Sequence, residues 1–267
     1  MLSTVVTEAP AANMTPDFEV RLQLDPDRVL HSNHQLMDLV RDNFSVKDTV
    51  KMNVQFLDKC SNEIFKAGWN VRLRVVQPKP EIELTYKKRY DIAGGNIEAA
   101  LAKANQDGFN SKSDKYEAQV EWGYKKQTLS VSRGKKVRYS GDGGTDLPGT
   151  AASRDMLVDE APGKFDNYKG KKWGTKALKE AVVFGPVHAT RAIGSWRDHK
   201  LYIEVWPIRS ADGSGWQYFV EASFKAGRRD EAEAARGTLL KELQDKGWFL
   251  PEDALKTSII MERYACP

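Results

Sequence analysis

The sequence predicts an α+β protein built on an antiparallel β sheet closed into a barrel, with helices packed outside it. Three observations carry this reading. Seven segments alternate strictly between apolar and polar residues, the period of a strand whose two faces meet different surroundings. Their polar faces mix acids with bases, often three or four charges in a row, as in Glu81-Ile-Glu83-Leu-Thr85-Tyr-Lys87-Lys-Arg89. A sheet with one side in water is the commonest origin of alternation. Rows carrying both signs suit instead the interior of a closed sheet, where they balance each other and hold a charged ligand. Between the strands lie stretches of helical period.

In chain order, Val20, Leu22 and Leu24 oppose Glu19, Arg21 and Gln23, which predicts a strand over 18–24. Asp25-Pro26 then opens a helix to about Asn43, with Val29, Leu30, Leu36, Leu39 and Val40 as its apolar side. Val71, Leu73 and Val75 oppose Arg72 and Arg74, and Ile82, Leu84 and Tyr86 oppose the charged row quoted above. Asn96 caps a helix through Ala104 that closes near Gly108. Ala118, Val120 and Trp122 oppose Glu117, Gln119 and Glu121, and Leu129 and Val131 follow in a hairpin partner. Gly141–Gly149 and Pro162–Gly174 read as a loop-rich insertion around an uncertain helix, and Thr175 caps another helix through Phe184. Leu201, Ile203 and Val205 oppose Tyr202, Glu204 and Trp206, and Val220, Ala222 and Phe224 oppose Glu221, Ser223 and Lys225. Ala232, Ala235, Leu239, Leu240 and Leu243 stripe a long helix that Gly247 stops, and a last element begins after Pro251.

The chain has 267 residues, 40% hydrophobic and 10% aromatic with seven Trp, which excludes a disordered chain and allows one domain over 17–267. Residues 1–16 read as a flexible tail, since the first fifteen carry neither Lys nor Arg nor an apolar run of the kind a secretion signal needs. No stretch approaches the roughly 18 apolar residues of a membrane helix, so no membrane partner is expected. A net charge of +4, from 41 basic and 37 acidic residues, is too mild to indicate nucleic acid. Cys60 and Cys266 lack metal spacing; a single bridge between them is one option, and two buried or idle thiols in a reducing compartment, the cytoplasm, are the favoured reading.

Several local patterns compete for a role. His31 and His34 stand three apart on the expected first helix, but without a Cys or carboxylate partner they read as solvated. Ser140–Thr145 is Gly-rich, yet no Gly-Lys-Ser/Thr follows, so a surface turn is expected rather than a phosphate cradle. The basic runs Arg133–Arg138 and Lys169–Lys172 read as solvated loops. Trp206 shares the face of Glu204 and is placed to wall a ligand site, whereas Trp196 and Trp216 read as packing.

An ordered series of motifs resembles the CYTH, or triphosphate tunnel metalloenzyme, family. Gln55-Phe-Leu-Asp58, Phe65-Lys-Ala-Gly-Trp69 and Val71-Arg-Leu-Arg74 are similar to its second and third strands with a short helix between them. Glu83-x-Thr85-x-Lys87, His188-Ala-Thr-Arg191, Leu201–Val205 and Tyr218-Phe-Val-Glu221 are like strands that follow, and Asp253–Ser258 is like the closing segment. The resemblance spans residues 17 to 265, with an insertion at about 140–180. It implies an eight-stranded antiparallel tunnel that binds a triphosphate or similar anionic small molecule with Mg2+ or Mn2+. By position it makes Lys66, Arg72, Arg74, Lys87 and Arg191 phosphate contacts, and Glu19, Glu204 and Glu221 the catalytic metal ligands. Arg21, Glu83 and Glu121, with Glu117, share the polar face that would meet the substrate.

The chain departs from the family pattern where that pattern holds metal. The first strand reads Glu19-Val-Arg21-Leu-Gln23 in place of Glu-x-Glu-x-Lys, and the late Glu-x-Glu is Glu221-Ala-Ser223. A cation in place of a carboxylate repels a divalent ion. Three readings follow: a metal-dependent phosphohydrolase; a diverged tunnel whose carboxylates do acid–base chemistry on an organic molecule; and a non-catalytic binder of anions or nucleic acid.

Overall fold

The computed structural model describes residues 11–139, 144–264 and 266. Among them nine strands form the sheet: β1 (Asp17–Leu24), β2 (Asp48–Asp58), β3 (Trp69–Val76), β4 (Glu81–Asp91), β5 (Glu117–Trp122), β6 (Gln127–Arg138), β7 (Val182–Trp196), β8 (His199–Arg209) and β9 (Trp216–Ala226). They close into a barrel in the order β1-β5-β6-β4-β3-β2-β7-β8-β9. The helices are α1 (Pro26–Val29), α2 (Asp38–Asn43), α3 (Glu63–Lys66), α4 (Ile97–Gln106), α5 (Thr150–Asp159), α6 (Gly163–Asp166), α7 (Trp173–Lys179), α8 (Arg229–Asp245) and α9 (Lys256–Arg263).

Closure is as the mixed-charge rows predict, with two corrections. The barrel has nine strands, not eight, and it is mixed: β1 runs parallel to β5, pairing Glu19 with Glu121, and antiparallel to β9 on its other side. A parallel pair needs a long crossover, and here it is the whole stretch from α1 to α4.

Strand alternation then sorts the chemistry. The outward residues Val20, Leu22, Val71, Leu73, Ile203 and Phe224 are buried in a large apolar core beneath the helices. Each such burial contributes about 1.5–3 kcal/mol. Helix α8 packs its Ala232, Leu239 and Leu243 there, against β1 and β9, and Gly247 ends it at φ +67°. Strand β2 is inverted. Phe56 and Val54 pair with Arg72 and Arg74 of β3, so they share the inward face, while outward Asn53 and Gln55 donate to Thr145 O (2.9 Å) and Ser153 Oγ (2.8 Å). The inward Met52, Val54, Phe56, Val187, Trp206 and Ile208 pack against Ile260 and Met261 of α9 and Tyr264 just after it, forming a second core that occupies part of the lumen. Asp58 ends β2 by accepting the backbone N–H groups of Ile64 (2.9 Å) and Phe65 (2.7 Å), which start α3.

Other elements correct the sequence reading. The helix expected over 25–43 is two short ones, because Asn33 accepts from Gln35 N, His34 turns to φ +62° and Leu30 bridges Leu36. His31 and His34 therefore share no helix face, and His34 stacks on Tyr218 instead (3.9 Å). Thr175 lies inside α7 and Phe184 lies in β7. The insertion is helical, as α5 to α7, and Ser140–Gly143 lie outside the described residues. So do residues 1–10 of the expected tail; Ala11 and Ala12 accept from Asn105 Nδ2 and Ser111 N.

Cys60 and Cys266 are not idle thiols: they form a disulfide, with Cα atoms 5.6 Å apart. That removes the ground on which a reducing compartment was expected, since such bonds persist under oxidising conditions. Among the described residues no helix is long and apolar enough to cross a membrane.

Candidate functional site

The lumen is a cavity of about 780 Å³ whose wall carries eleven basic and six acidic side chains among the described residues. Alternation positions them. Glu19 and Arg21 come from β1, Arg72 and Arg74 from β3, Glu83, Thr85, Lys87 and Arg89 from β4, Arg191 from β7, Glu204 and Trp206 from β8, and Glu221 and Lys225 from β9. Leu255, Lys256, Thr257 and Ile260 at the start of α9 complete the wall.

Asp17 and Glu117 line this wall without a side-chain partner among the described residues, whereas Glu19, Glu83, Glu204 and Glu221, and Glu121 just behind the wall, are engaged. Glu121 is buried and takes Arg21 Nη2 at 2.8 Å, Lys87 Nζ at 2.8 Å and Arg89 Nε at 3.5 Å. Burial alone raises its carboxyl, but Arg21, Lys87 and Arg89 outweigh burial and hold it well below the usual carboxylate range. Glu204 accepts from Arg191 Nε (2.8 Å) and Nη2 (2.6 Å), Trp206 Nε1 (2.8 Å) and Lys256 Nζ (3.2 Å). Burial again opposes, yet Lys256 and Arg191 prevail and its carboxyl is strongly depressed. Glu221 accepts from Lys256 Nζ (2.7 Å) and Gln23 Nε2 (3.0 Å). Glu83 pairs with Arg74 at 2.5 Å; burial pushes it up, and Arg74 and Arg72 bring it below its ordinary value. Glu19 accepts from the Gln119 amide (3.1 Å), turned so that its oxygen accepts from Lys225 (3.2 Å).

The cations outnumber their partners. Arg72 Nε, Thr85 Oγ1 and Arg89 Nη1 are buried with no hydrogen-bond partner. Arg72 and Thr85 face each other across the β3–β4 ladder. Burial, then Arg74 and Arg89 beside it, lowers the Arg72 guanidinium to about 10. Lys87 is also lowered, by burial and by Arg89 and Arg72, against the pull of Glu121. Buried unpaired donors are rare in folded proteins and cost about 1–3 kcal/mol each. Arg72, Thr85 and Arg89 all line the cavity, so an oxyanion held there would lie against these side chains.

Of the residues singled out from sequence, Glu19, Arg21, Arg72, Arg74, Glu83, Lys87, Glu117, Arg191, Glu204 and Glu221 all line the cavity. Glu121 lies behind the wall, joined to Arg21 and Lys87. Lys66 is not brought there: it ends α3 on the outside, exposed. Trp206 walls the site as expected and orients Glu204. Lys225 and Lys256 were not singled out. Lys225 continues the inward row of Glu221 and Ser223, so parity alone marks it; for Lys256 the only hint was its place in the closing segment.

The acids do not fit a resident divalent ion. Glu204 and Glu221 already share one ammonium, Glu121 is enclosed by three cations, and Glu19 is held by Gln119. Among the described residues no three His, Cys, Asp or Glu side chains come together as a candidate metal-ligand group.

The depressed carboxyls fix the sign of the acid response. A carboxylate whose folded pKa lies below its unfolded value stabilises fully above about pH 4.3 and loses that stability as pH falls through the folded value. Glu83, Glu121 and Glu204 all act in this sense; Asp58, raised by burial, acts in the other. The melting temperature is therefore expected to hold between pH 7 and 5 and to fall steeply below about pH 4, as a thermal-denaturation series across pH would show.

No protein-family model and no curated protein matches the sequence. Solved structures do match the fold. A candidate adenylyl cyclase from Hippeastrum, described as having a dominant triphosphatase activity, superposes with TM-score 0.56 at 14% identity, over 91% of this chain and 93% of that one. A candidate adenylate cyclase from Bacillus halodurans gives TM-score 0.51 at 10% identity, over 92% and 98%. At such identities the likeness is one of fold.

Proposed function

We propose that this chain is a tunnel-fold enzyme that binds a triphosphate or other phosphorylated small molecule in its lumen and hydrolyses it. The observation that carries the reading is the set of buried, unpartnered donors of Arg72, Thr85 and Arg89 in a cavity where bases outnumber acids. Guanidinium groups present planar forks that match phosphate oxygens. Several of them fixed in a low-dielectric wall stabilise charge that shifts toward the leaving oxygen as a phosphoanhydride breaks. Water attacks the terminal phosphorus in line, the bridging P–O bond breaks with its electron pair staying on the leaving oxygen, the water's protons pass to the phosphate products or to solvent, and inorganic phosphate departs. The triphosphatase described for the Hippeastrum protein, which has this fold, supports the reading. The divalent ion expected on Glu19, Glu204 and Glu221 is not carried into it, because those carboxylates are already engaged.

Acid–base chemistry on an organic substrate is less well supported by the same lumen. Glu83, Glu121 and Glu204 are all held below their ordinary range, and a general acid near neutral pH needs the opposite shift.

The test is phosphate release from tripolyphosphate, ATP and thiamine triphosphate, each with magnesium, with manganese and with chelator. Release from at least one, lost in a folded Arg72→Met protein, is the expected result. Tight binding without release would reduce the protein to an anion binder, and neither binding nor release would overturn the proposal.

A further inference from the structure

We infer that the ammonium of Lys256 is this tunnel's resident cation, occupying the Glu204–Glu221 carboxylate pair in place of a divalent metal ion. The first observation is the contact itself: one Nζ lies 2.7 Å from Glu221 Oε1 and 3.2 Å from Glu204 Oε2. Two carboxylates of neighbouring strands, facing each other in the β8–β9 register, thus converge on one ammonium, while the other oxygen of Glu204 holds Arg191. Such a pair is what a magnesium ion uses when it binds protein and phosphate together. A divalent ion brought beside a fixed ammonium is repelled by it, and the low dielectric of the lumen strengthens that repulsion.

The second observation is that Lys256 is held from both sides. Ahead of it, the Asp253 carboxylate accepts the backbone N–H groups of Tyr124 (2.6 Å), Lys125 (2.7 Å) and Lys126 (3.0 Å). Gly123 makes that approach possible, since a Cβ there would lie 2.1 Å from Asp253 Oδ1. Behind it, Ile260 and Met261 are buried in the second core, and Cys266 is bonded to Cys60. Its Nζ stands over the Trp206 ring, 5.0 Å from the centroid. A lysine so fixed loses little entropy on meeting its partners, unlike a surface lysine.

The inference deepens the proposed function, but its metal half needs no substrate, so the two fail separately. The probe is Mn2+ alone, followed by electron paramagnetic resonance and calorimetry. Wild-type protein is expected to bind no stoichiometric Mn2+. Lys256→Met, which keeps the stem and removes the charge, is expected to bind one Mn2+ at least tenfold more tightly than wild type. That gain should disappear in Lys256→Met/Glu221→Gln and be absent in Lys256→Arg. Tripolyphosphate binding by wild type should be unchanged by chelator. Stoichiometric Mn2+ binding by wild type, lost on Glu221→Gln, would overturn the inference, as would a folded Lys256→Met protein with no new site. Should Lys256→Met fail to fold, the wild-type titration and its Glu221→Gln control still decide.

Discussion

Glu121→Gln is expected to lower the melting temperature of the free protein by about 10 °C. Among the described residues Glu121 is the one carboxylate touching Arg21, Lys87 and Arg89 together, and it is buried. Removing one partner of a buried ionic cluster costs about 3–5 kcal/mol, because the charges left behind have no substitute for the water they gave up. For a chain of this size each kcal/mol moves the midpoint by about 2–4 °C. The amide keeps the shape and removes only the charge, so packing loss does not enter. Saturating tripolyphosphate should recover much of the loss, since a bound polyanion returns negative charge to the same wall. A midpoint unchanged by the substitution would show that the three cations are solvated rather than balanced by Glu121.

Arg72→Met should act in the opposite way on stability and on binding. Arg72 is half-buried among cations, its buried Nε has no hydrogen-bond partner, and burial, then Arg74 beside it, lowers its guanidinium to about 10. The folded wall thus disfavours this charge, and removing it while keeping the apolar stem should leave the midpoint of the free protein unchanged or raise it. Affinity for tripolyphosphate should fall about 100-fold, the value of about 1.5–3 kcal/mol for hydrogen bonds to a charged group. Calorimetric titration and a thermal scan on the same preparation separate the two effects. A loss of both stability and affinity would assign Arg72 to the framework instead of the ligand.

Much of the lumen was legible because alternation has a fixed period. Once Glu19, Arg72, Lys87, Glu204 and Glu221 are placed on strands, parity alone turns them to one face, and the mixture of signs says that the face is enclosed. What escaped has physical reasons. Strand β2 hides its period, since its inward side is apolar where α9 fills the lumen and its outward Asn53 and Gln55 are buried under the segment leading into α5. The parallel contact of β1 with β5 joins residues about 100 positions apart, and no local pattern encodes which strand closes a barrel. Lys66 was assigned by its neighbours in a motif, but it ends a one-turn helix whose inward residue is Ile64. Lys256 reached the site through tertiary packing of α9, which a single lysine in a short helix does not announce.

The bond between Cys60 and Cys266 also changes what kind of object the chain is. It closes a covalent ring with a sequence separation of 206 that contains β3 through β9, leaving β1 and β2 on an open tail threaded back into the same barrel. A single cut anywhere on the ring linearises it without releasing a fragment. Two of the nine staves are held by hydrogen bonds and packing alone, and seven are held by connectivity as well. The unfolded chain is correspondingly confined, which by loop-entropy reasoning is worth about 5 kcal/mol. Toward a protease, or toward heat, the oxidised protein is in effect a cyclic polypeptide with a tail.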